Sequence, residues 1–119
     1  PLANKDVVKL EDLEDFPYLS YDQGTHNSFY FSEELHSTQP SKKSIIVSDR
    51  ATLFNLLIGL NGYTISSGIL STDLNGDNIV SIPLESDEVM EIGYICDGSL
   101  SSMAKNYLNH LIQYIEQTK

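Results

Sequence analysis

Basic side chains are scarce: 7 Lys and Arg stand against 17 Asp and Glu in 119 residues, a formal charge of −10. Nucleic-acid interfaces replace counterions on phosphates with Lys and Arg, and anionic membranes ask for the same cations, so this chain suits neither. Cysteine is nearly absent. Cys96 alone excludes an internal disulfide framework and a cysteine-based zinc site, and it suits a reducing compartment. No apolar run approaches the roughly 20 residues that span a bilayer, and no secretory leader is visible, so the expected location is cytoplasmic with no membrane partner. The first residues, Pro1-Leu2-Ala3, carry no initiator Met and read as a cut inside a longer chain.

Motifs for chemistry are also thin. No phosphate-cradling glycine loop precedes a helix, and no Gly-Xaa-Ser-Xaa-Gly elbow presents a nucleophile. His26, His36 and His110 lie in separate segments without Cys or Glu at ligand spacing, so no metal is expected. The run Asp73-Leu74-Asn75-Gly76-Asp77 starts like a calcium loop, but Asn78 and Leu84 stand where the glycine and the bidentate Glu belong. It reads as a turn. The chain is therefore expected to be no enzyme and to need no cofactor.

What is present is a folding chain. Apolar residues make up 40% and charged residues 20%, enough for one domain with its own core. An acidic turn over 6–15 leads to Pro17, and Pro17 to Tyr21 reads as a short strand. A polar turn over 22–27 hands over to a helix over 28–35, and a loop follows around Pro40. Ser44-Ile45-Ile46-Val47-Ser48 is a continuous β-branched run of the kind buried in parallel sheets. Ser48 or Asp49 caps a helix from Arg50 to Leu60, apolar around most of its circumference and so packed on more than one side. Asn61-Gly62 closes it in left-handed conformation. Further strands are expected at Tyr63–Ser66, Ile79–Leu84 and, half-buried, Val89–Ile95. A last helix from Ser99 carries the stripe Leu100, Met103, Ala104, Tyr107, Leu108, Leu111, Ile112 and Ile115. The alternation of strand and helix gives an α/β domain with a mixed, mostly parallel sheet flanked by helices.

Two of these strands each feed a turn and then a helix. Parallel strands put both turns at the carboxyl edge of one sheet, where open α/β folds bind ligands. Helix N-termini there offer free N–H groups and a partial positive charge to an anion. The candidate side chains there are Tyr21, Gln23, Thr25, Asn27 and Ser28 after the first strand, and Ser48, Arg50 and Thr52 after the second. Arg50, one of few cations, can grip a carboxylate bidentately or simply offset the surrounding acid.

The segments "PLANKDVVKLEDLEDFPYLSYDQG", "SIIVSDRATLFNLLIGLNGYTIS" and "VMEIGYI", with the long terminal helix, resemble in order and spacing the C-terminal half of the effector-binding domain of LysR-type transcriptional regulators. The likeness runs from Pro1 to about Ile115. It departs where the family shows Gly-Xaa-Gly before the Tyr63 strand and a proline after it; here Gly62 is in place, its partner is Leu60 or a shifted Gly59, and Ser67-Gly68 replaces the proline. The resemblance implies that residues 1–119 form the second lobe of a fold like that of type 2 periplasmic binding proteins. It adds a hinge strand near Glu91 to Ile95 and a terminal helix returning to the first lobe. A small metabolite, in a subgroup concerned with sulfur amino acids an amino-acid-derived one, would sit in the interlobe cleft against Tyr21, Gln23, Gly24, Thr25, Ser48, Asp49, Arg50 and Thr52, with Ser66 near the hinge. DNA would be touched only by a winged-helix head preceding Pro1. RNA polymerase and a second copy of the regulator are the other partners implied. The alternative reading is the ligand-binding lobe of a solute-binding protein or of an amino-acid-regulated enzyme.

Overall fold

The computed structural model describes residues 2–24, 42–70 and 72–117. The helix expected over 28–35, with His26 and His36, lies outside the described residues. Mixed α/β architecture is what results: strand β1 (Tyr18–Tyr21), strand β2 (Ser44–Val47), helix α1 (Arg50–Leu60), a single helical turn α2 (Thr72–Asn75) and helix α3 (Ser102–Gln117). Among the described residues the expected larger sheet is reduced to two parallel strands, with Tyr18 beside Ser44 and Tyr21 beside Val47.

The core forms where α1 lies on this pair. Alternation sends Leu19 and Tyr21 of β1, and Ile45 and Val47 of β2, toward the same face. There they meet Leu53, Phe54, Leu56 and Leu57 of α1. Leu19 (0% exposed) and Leu53 (1%) are fully enclosed, each contributing about 1.5–3 kcal/mol by leaving water. On the opposite face Tyr18 is buried and stacks on Tyr63, ring centroids 5.2 Å apart. Ile46 shares that face and is exposed, so β2 is covered on one side rather than both. The helix is likewise packed on one side: Ile58 and Leu60 stay exposed because the described sheet is only two strands wide.

Both ends of α1 are written locally. The Asp49 side chain accepts from the Thr52 N–H at 2.9 Å, closing the first turn. At the other end Asn61 takes φ 51° and ψ 46°, with its N–H on Ile58 O and the Gly62 N–H on Leu57 O, a Schellman closure. Gly62 then runs against β1 so closely that a Cβ there would lie 2.5 Å from Leu19 Cδ1 and 2.8 Å from Pro17 O. This approach lets Tyr63 donate to Pro17 O and accept from the Leu19 N–H, at 2.9 and 2.8 Å. Tyr63 thereby lines the edge of β1 opposite β2, in parallel.

Three expected strands are not formed. The strand at Tyr63–Ser66 stops after that one bridge, because the Ser66 and Ser67 hydroxyls accept the Gly68 and Ile69 N–H groups and turn the chain away. Ile79–Leu84 supplies one parallel bridge, Leu84 to Val8, with the Val8 N–H on Pro83 O and the Glu85 N–H on Val8 O. Pro83 has no N–H with which to extend it. Val89–Ile95 finds no strand to pair with among the described residues, and Ile95 is 98% exposed. A propensity for extended structure becomes a strand only beside a partner. The acidic start folds as expected into a short 3-10 turn at Leu10–Leu13, and the loop at Asp73 winds into α2 before Gly76 (φ 64°) ends it. The terminal helix begins at Ser102, three residues later than read, after the Ser101 hydroxyl accepts the Ala104 N–H at 3.2 Å.

If α1 on the strand pair is the stabilising core, Leu53→Ala should lower unfolding free energy by about 2–5 kcal/mol in urea titrations. Gly62→Ala should cost about 1–3 kcal/mol through the clash with Pro17 O. Ile58→Ala, on the open side of the same helix, should change stability by about 0.5 kcal/mol or less.

Candidate functional site

Two turns leave the sheet side by side. Because β1 and β2 are parallel and end at the paired residues Tyr21 and Val47, the chain departs from both at the same edge. The Asp22 N–H still donates to Val47 O at 2.9 Å, which ties the first turn to the end of the second strand. The Asp22 carboxylate then accepts the Gly24 N–H at 2.9 Å, and Gly24 sits at φ 69°, open on its Cα side. This is an Asx turn: a short acidic side chain replaces a backbone acceptor, and glycine takes the left-handed position. Gln23 is half-buried, its Nε2 donating to Tyr21 O at 3.4 Å.

On β2 the second turn, Ser48 and Asp49, leads straight into α1. The structure thus brings Tyr21, Gln23 and Gly24 to the same sheet edge as Ser48, Asp49, Arg50 and Thr52. Thr25, Asn27 and Ser28 lie outside the described residues. Ser66 stands apart: it is exposed, three residues beyond the Tyr63 bridge, and its hydroxyl accepts the Gly68 N–H rather than reaching either turn.

The electrostatics of this edge differ from a bare helix N-terminus. The Thr52 N–H and the Thr52 hydroxyl both donate to the Asp49 carboxylate, the latter at 2.7 Å. These bonds, the backbone one first, hold the Asp49 carboxyl below its ordinary range. Much of the positive end of α1 is therefore answered within the helix itself. A free anion placed there would compete with a carboxylate already seated. Asp49 and Thr52 are cap partners first, and Tyr21 is partly spent in packing against the core.

Arg50 supplies the positive charge that remains at this edge. Its guanidinium lies over the Phe54 ring, 4.5 Å from the centroid. Stacking of this kind at an exposed site is worth about 0.5–1 kcal/mol. It leaves the fork of N–H donors unspent, and a bidentate carboxylate, a stronger partner, can draw the group away from the ring. Among the described residues Arg50 makes no ion pair. Phe54 and Asp22 are the contributors that motif reading passed over. Their signals were local: Arg and Phe four apart on a helix, and Asp two before Gly.

Elsewhere, chemistry-bearing groups are dispersed. No three His, Cys, Asp or Glu of the described residues gather as metal ligands. No described helix is long and apolar enough to cross a membrane. Cys96 is exposed, its thiol 3.4 Å from Gly98 O, and His110 Nδ1 lies 2.8 Å from Asn106 O of its own helix. At the N-terminal turn Lys5 pairs with Asp12, which also accepts the Lys9 N–H; both depress the Asp12 carboxyl. Comparison of the chain with protein families, curated proteins and solved structures finds no match.

The caps set an acid response. A carboxyl depressed in the folded state adds stability that is full above its unfolded pKa and is lost as pH falls through the folded value. Thermal midpoints should therefore hold from pH 6 to about pH 4 and fall below it. Asp49→Ala should lower the neutral-pH midpoint by roughly 3–5 °C and flatten the acid limb, as read by circular dichroism. A steeper acid limb in the variant would assign the cap to another group.

Proposed function

We propose that this chain is the second lobe of the effector-binding domain of a LysR-type transcriptional regulator, a module that binds rather than catalyses. The observation that carries the reading is the shared edge at which the Asp22–Gly24 and Ser48–Thr52 turns emerge from parallel strands joined by the Asp22–Val47 hydrogen bond. Open α/β sheets bind small molecules at that edge. The short polar groups and single guanidinium suit a small carboxylate-bearing metabolite, of the amino-acid-derived kind that the sequence resemblance implies.

In this reading Arg50 leaves Phe54 to hold the effector carboxylate, and the Gly24 turn and Ser48 supply hydrogen bonds beside it. Asp49 contributes indirectly by fixing the first turn of α1. A companion lobe forms the other wall of the cleft, and the effector favours a closed arrangement by its higher affinity for it. The winged-helix head would carry the cations that this acidic lobe lacks. Affinity for DNA, and contact with RNA polymerase, would then belong to the parent regulator in the cytoplasm.

The test is calorimetry on a protein joining this lobe to its companion, titrated with a panel of amino-acid-derived carboxylates. One should bind, and Arg50→Ala should weaken it more than tenfold while leaving the melting midpoint within a few degrees. Equal affinity in the variant would remove Arg50 from the site. A catalytic domain or a secretory leader encoded upstream, in place of a winged helix, would instead favour an amino-acid-regulated enzyme or a solute-binding protein.

A further inference from the structure

The loop that the effector reading leaves unused carries Asn75 before Gly76, and we propose that this pair is a site of spontaneous chemical modification. Asn75 is converted there to aspartate and isoaspartate, while the chemically identical pair Asn61-Gly62 is shielded by the fold.

The reaction consumes only water. The Gly76 backbone nitrogen gives up its proton and attacks the carbonyl carbon of the Asn75 side chain. A C–N bond forms, the bond to the side-chain amide nitrogen breaks, and ammonia leaves with the proton that the glycine nitrogen released. The two residues are then joined in a cyclic imide. Water opens that ring at either carbonyl. Opening at the side-chain carbonyl restores the main chain and leaves aspartate; opening at the main-chain carbonyl leaves isoaspartate. No electrons are gained or lost.

Glycine makes both pairs reactive, because a following residue without Cβ does not obstruct the approach of its own nitrogen. Asn61 and Asn75 are the two asparagines of the chain that precede glycine. Elsewhere a bulky side chain follows, as Leu56 does after Asn55 and Ile79 after Asn78.

The fold separates the two pairs. At Asn61 the attacking nitrogen is already committed: the Gly62 N–H donates to Leu57 O at 3.0 Å, and the Asn61 N–H to Ile58 O at 3.4 Å. Gly62 is also pressed against Pro17 O and Leu19. Freeing its nitrogen means undoing the end of α1 beside the buried Leu57 and the Tyr63 bonds to Pro17 and Leu19. At Asn75 the restraint is only α2, a single turn of four residues. A helix of that length is marginal in water and opens at little cost. Gly76 is exposed at φ 64°, with nothing within 4 Å of the place a Cβ would occupy. Its neighbours Asp73, Asp77 and Asn78 are exposed as well.

Conversion changes both charge and backbone. Aspartate at 75 sets a further carboxylate between Asp73 and Asp77, at the C-terminal end of a helical turn, where negative charge is unfavourable. Isoaspartate also routes the main chain through the side-chain carbon. The added methylene breaks the regular rise on which the hydrogen bonds of a helical turn depend. The modified loop is therefore more acidic and loses α2.

The test is incubation of the folded 119-residue chain for days in mildly alkaline buffer. Peptide mass spectrometry with electron-transfer fragmentation then locates the conversion and separates aspartate from isoaspartate. Position 75 should convert on the order of tenfold faster than position 61 in the folded chain, and the two should convert at comparable rates in concentrated urea. Anion exchange should resolve a more acidic form that grows with conversion at 75 and is absent from Asn75→Gln. Equal rates at 61 and 75 in the folded chain would overturn the proposal, as would an acidic form that persists in Asn75→Gln. Conversion at both positions in urea but at neither in the folded chain would overturn it too, since α2 would then protect as well as the end of α1 does.

Discussion

Parallel pairing of Tyr18–Tyr21 with Ser44–Val47 is the constraint on which the rest depends. A parallel pair cannot be closed by a tight turn, so the chain must travel away and return between the two strands. Both strands then end at one edge, and whatever leaves them leaves together. The pair also creates the single face against which α1 can bury Leu53 and Leu57 on Leu19 and Val47. Gly62 extends the arrangement to a third line of chain, because only a residue without Cβ can pass Pro17 O closely enough for Tyr63 to bond β1. Shift the register by one residue and Leu19 would face away from α1, taking the core and the edge with it.

The parts legible in the sequence are those whose cause is local. Asp49 three residues before Thr52, and Asn61-Gly62 after the last leucine, mark both ends of α1 because caps depend on neighbours in the chain. The β-branched Ser44–Val47 run is a strand for a similar reason. Pairing is different. Tyr63, Leu84 and the Val89–Ile95 segment share the same extended propensity, yet the first two give one bridge each and the third none. What separates them is what lies beside them: Pro17 O and the Leu19 N–H for Tyr63, the Val8 backbone for Leu84, and no described strand for Val89. Periodicity records a willingness to be buried but not the surface that does it. The even distribution of leucines around α1, and the one-sided burial that results, make the same point.

The candidate edge was legible in position and misjudged in charge. Alternating strands and helices sufficed to bring the Gln23 and Arg50 turns to one end of the sheet. That Asp49 would turn its carboxylate onto the N–H groups of its own helix was implied by the very capping rule that located the helix start. A residue that caps well has answered the dipole it was expected to offer a ligand. The edge therefore keeps one guanidinium, stacked on Phe54, as its positive element. A carboxylate arriving there would meet a directional fork rather than the field of a helix.

Charge also decides which surfaces of this chain can meet another molecule. The acids concentrate at 6–15 and at 85–97, around the Val8–Leu84 bridge that joins these two segments. Lys5 and Lys9 temper that region by pairing with Asp12 and Glu85. Away from it the chain shows two regions poor in acid, α1 with its approach to Tyr63 and the flank of α3. Fifteen large apolar side chains are exposed among the described residues against seven buried ones. The surplus gathers in two places: Val89, Ile92, Tyr94 and Ile95 along 89–95, and Met103, Tyr107, Leu111, Ile112 and Tyr114 on α3. Along 89–95 the exposed apolar side chains are interleaved with acid, and on α3 they are not. The acids gather about the Val8–Leu84 bridge, whereas α3 keeps exposed apolar side chains with no carboxylate before Glu116.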